Sequence, residues 1–190
     1  MDTIVLILIL LTAFNFLLKQ AFWKPVAVGA AAGIATIFVI LLWPYAIEQS
    51  KTQIADWLSD NQLMLDTSVV LTLEIVLQMA FCLLAVHVAN FSPVKRRMMW
   101  AYCVLYWFPG VLIIPVLFFG LTQAIFSFPG VSFKLIARLF GLFVFVVIPL
   151  GRWLIKWLLP EEDLRLELFF LTNALVAILG IIATVNGRTA

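Results

Sequence analysis

Glu74 is the residue in this chain best placed to do chemistry. It lies inside the apolar run VVLTLEIVLQMAFCLLAV, about seven residues, or roughly 10 Å of helical rise, inside the outer end of a candidate span that begins at Thr67. Thr67, Glu74, Gln78 and Cys82 follow at steps of seven, four and four, so they share one helical face. Ser68 and Thr72 stand four apart on a neighbouring face. An ionisable side chain in a membrane helix costs about 2.5–3.5 kcal/mol on insertion scales and faces protein or water. Two readings follow for Glu74. One is a proton or cation site. The other is a structural carboxylate, paired with an arginine or hydrogen-bonded to hydroxyls. Arg138, in FKLIARLFG, enters from the same side at a depth that differs by only about 5 Å. A Glu74–Arg138 pair is therefore expected as one solution, and Arg138 snorkelling to headgroups as the other. Glu74, Gln78, Arg138 and Thr67 together form the expected buried polar cluster. His87 is the single histidine and has no second ligand, so it reads as an interfacial hydrogen-bonding residue.

The elements that position these residues are apolar helices. Of 190 residues, 65% are hydrophobic and 12% charged, half the charge of a soluble domain. Mean hydropathy is +1.14. A water-soluble enzyme of this length has no means of hiding so much apolar surface. A net charge of +2 with scattered basic residues offers no face to nucleic acid. A bilayer crossing needs about 20 mostly apolar residues. Six stretches qualify: 3–18, 25–47, 67–90, 98–119, 133–150 and 164–185. The expected class is all-α, a polytopic membrane bundle of about six transmembrane helices in a single domain spanning 1–190. Met1-Asp2-Thr3 has no basic n-region, so the first stretch is expected to stay as a membrane helix with Lys19 snorkelling at its end.

Lysine and arginine set the orientation. Lys19, Lys24, Lys95, Arg96, Arg97, Arg152, Lys156 and Arg165 fall on one side, eight against Lys51, Lys134, Arg138 and Arg188 on the other. The eight belong inside, in the cytoplasm, which puts both termini outside. Segment 48–66 has Ile54, Trp57 and Leu58 at helical spacing among polar neighbours, the pattern of an amphipathic helix on the outer surface. The run 101–128 is longer than the hydrocarbon core. It should kink or end near Pro109-Gly110 or Pro115, leaving 120–132 interfacial or re-entrant.

Packing signals are sparser. Gly29-Ala30-Ala31-Ala32-Gly33 lets another helix approach closely. A contact inside the bundle is the default for Gly29 and Gly33, and a contact with another subunit is the alternative. Asn15, Thr172, Asn173 and Gln123 are candidate interhelical hydrogen bonders. Cys82 and Cys103 suggest neither disulfide nor metal. The acids after Pro160 read as a solvated helix start. No nucleotide-binding loop, metalloprotease, hydrolase or paired-carboxylate motif is present in the sequence, so no catalytic residue, metal or cofactor is expected.

The stretch IEQSKTQIADWLSDNQLMLDTSVVLTLEIVLQMAFCLLAV, 47–86, resembles small uncharacterised inner-membrane proteins of Bacteroidota that accompany Ton-type motor subunits, the ExbB- and ExbD-like proton-channel proteins. The chain lacks the large cytoplasmic helical region of ExbB-like proteins and has more spans than ExbD-like ones, so no functional residue is carried over. The resemblance implies a subunit docking on a proton-driven motor that energises outer-membrane transport. The sequence thus favours an accessory or scaffold subunit in the lipid bilayer with other integral membrane subunits as partners. A small transporter or channel using Glu74 and Gln78 is the alternative. A lipid enzyme comes third, with no triad to support it.

Overall fold

The computed structural model describes residues 2–48, 61–91 and 94–188. Among them are seven helices and no strand: α1 (Asp2–Gln20), α2 (Pro25–Glu48), α3 (Asn61–Asn90), α4 (Arg96–Trp107), α5 (Ile113–Ser127), α6 (Phe133–Leu158) and α7 (Glu162–Arg188). Four are long and apolar enough to cross a membrane, within α2, α3, α6 and α7; α1 and α5 contribute shorter apolar helices. The amphipathic segment expected around Ile54, Trp57 and Leu58 lies outside the described residues, as does the side chain of Thr67. The helix that carries the third span starts earlier than expected, at Asn61, while its candidate membrane-crossing part is Ser68–Asn90.

Two pairs of long helices build the bundle. In α2, Val28, Ala32, Ala35 and Val39 are buried at steps of four, three and four. They meet Ala137, Gly141, Val144 and Ile148 of α6, which repeat at the same steps. This is the spacing of two helices packed along a seam. Gly141 is the closest approach: a β-carbon there would sit 3.2 Å from Ile40 Cγ1, and its carbonyl accepts a 3.2 Å bond from Thr36 Oγ1. In the second pair, Leu71 and Ile75 of α3 pack on Val176 of α7. Helix α1 lies between the pairs. Its Phe16 joins the α2–α6 core, and its Leu18, with Ala21 just after the helix, joins Phe81, Ile155, Leu166 and Phe169.

The contacts also order the ends. Trp23 after α1 meets Arg152 of α6, and Phe22 meets Arg165 of α7. Phe81 of α3 stacks on Tyr102 of α4. The eight lysines and arginines assigned to one side therefore gather at one end of the bundle. At the opposite end, Lys134 stands over the Trp43 ring, and Ile125, Ala46 and Ile136 share a core. The chain starts α1 and finishes α7 at that opposite end.

The expected fourth span is two helices, not one. Helix α4 stops at Trp107 and α5 begins at Ile113, with Gly110 at φ +97° between them. Proline at 109 has no N–H to donate to the Leu105 carbonyl, which ends α4. Pro115 falls in the first turn of α5, where a missing N–H costs nothing. Residues 120–127, expected to be interfacial or re-entrant, continue α5 and bury Leu121, Thr122 and Ile125 against α2 and α6. A turn at 128–132 with Gly130 at φ +94° then leads into α6.

Candidate functional site

A helix broken inside an apolar bundle leaves backbone groups without partners, and no water is at hand to supply them. Four such groups flank the α4–α5 break, and each is met by a side chain from α1, α3 or the residues just after α1. Lys19 Nζ donates to the Leu105 carbonyl at 3.0 Å. Trp23 Nε1 donates to the Tyr106 carbonyl at 2.7 Å. Glu74 Oε2 accepts the Val111 and Leu112 N–H groups, both at 2.7 Å. The pairing follows charge as well as hydrogen bonding. A helix ends on partial negative charge, where Lys19 sits, and starts on partial positive charge, where Glu74 sits. Tyr106 closes the join by donating its hydroxyl to the Phe22 carbonyl at 2.8 Å.

Glu74 is the first link in a chain of buried amides. Gln78 Nε2 donates to its Oε1 at 2.8 Å, which fixes the amide so that Gln78 Oε1 faces Asn15. Asn15 Nδ2 donates to that oxygen at 2.8 Å and to Asn173 Oδ1 at 2.7 Å. Asn173 Nδ2 donates to the Phe169 carbonyl at 2.8 Å. Glu74, Gln78, Asn15 and Asn173 are all buried. The network thus ties α1, α3 and α7 to the start of α5. Among the described residues Glu74 receives three N–H donors and no cation. All three contacts use the Glu74 oxygens as acceptors.

The structure keeps part of the expected cluster and replaces the rest. Glu74 and Gln78 are together, as their spacing predicts. Arg138 is not with them. It is exposed on α6, and the Glu74 oxygens are occupied by backbone and Gln78. Depth and charge made the pair plausible, but α6 packs on the far side of the bundle, against α2. Asn15 and Asn173 do bond between helices, whereas Thr172 donates to Leu168 of its own helix and Gln123 is exposed. His87 stacks on Phe91 with centroids 4.8 Å apart.

Lys19 is the functional residue the sequence reading misplaced. It does not snorkel: the side chain is 1% exposed, and its ammonium stands 3.0 Å from the Phe81 ring centroid. The signal available was its position four residues after Asn15, on the same face. For Gly29 and Gly33 the default expectation, a contact inside the bundle, is not met. The α2–α6 seam uses Ala32 and Ala35, and a β-carbon on Gly29 or Gly33 would meet nothing within 4 Å.

The two charges at the break are unequal in their expected contributions. Lys19 has one carbonyl and an aromatic face, and its burial costs several kcal/mol of ammonium desolvation. Lys19→Met should leave stability within about 1 kcal/mol of wild type, since losing the bond to Leu105 is offset by the removed charge. Equilibrium unfolding in mixed micelles checks this. A loss as large as that of a buried ion pair would mean the ammonium has partners beyond these.

The chain matches no family model, and comparison with curated proteins and with solved structures found no similar one.

Proposed function

We propose that this chain is an accessory or scaffold subunit of a larger membrane complex, with no catalysis of its own. The observation that carries this reading is the open small-residue face of α2. Gly29 is exposed, Gly33 is half-buried, and among the described residues a β-carbon on either would meet nothing within 4 Å. Val26, Ile34 and Ile37 flank them and are 84%, 70% and 60% exposed. Small residues four apart let helix backbones approach closely in lipid, where van der Waals contact drives association. The internal polar network supports the same reading, because its members serve the fold's own backbone breaks.

The remaining features of the proposal come from sequence. The chain crosses a bacterial inner membrane six times, with α4 and α5 together making one crossing. The basic end lies in the cytoplasm, both termini lie in the periplasm, and 48–66 rests on the outer surface. The resemblance of 47–86 supplies the partner class, the proton-channel subunits of a Ton-type motor.

A photo-crosslinking residue at position 29, followed by mild-detergent purification from native membranes, tests the docking face. The expected result is a stoichiometric adduct with a motor subunit, lost when Gly33→Leu is added. The fold should tolerate both changes, since neither position has neighbours to displace. Recovery of the uncrosslinked chain alone would overturn the proposal.

One observation favours a second reading, a small transporter or channel. Half-helix ends that face each other inside a bundle are a common way to build a midplane ion or substrate site, and Glu74 and Lys19 stand at such ends here. Flux through liposomes holding only this chain, abolished by Glu74→Gln or Gln78→Ala, would establish that reading and displace the first.

A further inference from the structure

The basic end carries a cluster of cations that neither the helix break nor the α2 face uses. Arg152 and Lys156 are one turn apart on α6, and Arg165 lies across the turn on α7. Two of the three are held in place. Arg152 donates through Nε and one terminal nitrogen to the Trp23 carbonyl, both at 3.2 Å. Arg165 closes the α6–α7 turn by donating to the Leu159 and Pro160 carbonyls at 2.8 and 2.9 Å. Lys156 feels the positive charge of both arginines, with Glu162 as an opposing carboxylate. Among the described residues no hydrogen bond or ion pair engages its ammonium. Arg152 and Arg165 are held by carbonyls and Lys156 is not, and among the described residues none of the three forms an ion pair with Glu161, Glu162 or Asp163 of the same turn, which leaves their charge for an anion to neutralise. Beside them Trp153 and Trp157 stack at 6.5 Å with rings 10° from parallel, 61% and 68% exposed. Exposed tryptophans of a membrane helix mark headgroup depth.

We propose that Arg152 and Lys156, backed by Arg165, seat the phosphate of an anionic phospholipid, with the Trp153–Trp157 pair against its glycerol and upper acyl chain. Arg152 and Lys156 lie one turn apart on α6, and both are partly exposed. A basic pocket between helices at a cytoplasmic surface suits such a headgroup. The anchored arginines mean that little side-chain order is lost on binding. This inference stands independently of the accessory role.

Thermal unfolding of delipidated protein in uncharged detergent tests it, with phosphatidylglycerol, phosphatidylcholine or sodium phosphate added at matched ionic strength. Phosphatidylglycerol should raise Tm by about 5 °C or more near saturation, and the other two should not. Lys156→Gln should remove more than half of the shift. Lys95→Gln/Arg96→Gln, where the α3–α4 loop enters α4, should keep it. Equal shifts with phosphatidylcholine, a full shift in Lys156→Gln, or an equal loss in the loop variant would overturn the site. A shift with phosphate alone would overturn the lipid as occupant. Native mass spectrometry of the wild-type protein in an equimolar mixture of the two lipids gives a reading that needs no variant: preferential retention of phosphatidylglycerol is expected, and equal retention overturns the proposal.

Discussion

Glu74→Ala is expected to lose about 3–5 kcal/mol of stability, among the largest losses open to any single truncation in this bundle. The reason is the number of donors it abandons. The Val111 and Leu112 N–H groups and Gln78 Nε2 all point at its two oxygens. A buried orphan N–H is rarer in proteins than an under-satisfied carbonyl, because it has a single bond to make. Glu74→Gln separates charge from acceptor count. Its amide oxygen can still take both backbone donors, but its NH2 then faces the NH2 of Gln78. Turning Gln78 over would break its bond from Asn15. That variant should therefore lose about 1–2 kcal/mol, one hydrogen bond and the charge at the helix start. Unfolding in mixed micelles gives the energies, and amide exchange at Val111 and Leu112 shows where they arise. Both amides should lose protection in Glu74→Ala and keep most of it in Glu74→Gln. A neutral Glu74→Ala would mean that the start of α5 does not depend on this carboxylate.

The same site shows where sequence reading stops. The break at Pro109-Gly110 was legible, because proline and glycine act through their own backbones. The face carrying Glu74 and Gln78 was legible too, because helical spacing is local. The partner of Glu74 was not. Its donors are main-chain N–H groups, which every residue but proline carries and composition does not display, so the search fell on Arg138, a visible charge at a similar depth. Lys19 failed for a related reason. Proximity to the end of an apolar run suggests snorkelling, but Pro109 removes the bond that Leu105 would have accepted from within its own helix. That carbonyl is what receives the ammonium, and it belongs to a helix 86 residues away in sequence. In α2, Gly29/Gly33 and Ala32/Ala35 lie within the same few turns and are equally small. They differ by about a third of a turn around the helix. Only the position of Gly141 on α6 decides which pair is used.

Gly110 joins the backbone break to the carboxylate, and it makes the second large prediction. A β-carbon at 110 would stand 2.6 Å from Glu74 Oε1 and 3.1 Å from Gln78 Nε2. The carboxylate has three bonds holding it and nowhere to retreat. Gly110 also adopts φ +97°, which costs a side chain about 1 kcal/mol or more. Gly110→Ala should therefore lose about 3 kcal/mol or more, with strain and clash adding. Gly130→Ala isolates the strain alone, since Gly130 has φ +94° and nothing within 4 Å of its missing β-carbon. It should lose only about 1 kcal/mol. The clash is isolated by combining Gly110→Ala with Glu74→Ala. Once the carboxylate is gone the new methyl has room, so the double variant should be more stable than the sum of the single losses by about 1–2 kcal/mol. A double-mutant cycle in mixed micelles measures that coupling. Strict additivity would mean that the β-carbon and the carboxylate never compete for the same space, and Gly110 would then be required for its backbone angle alone.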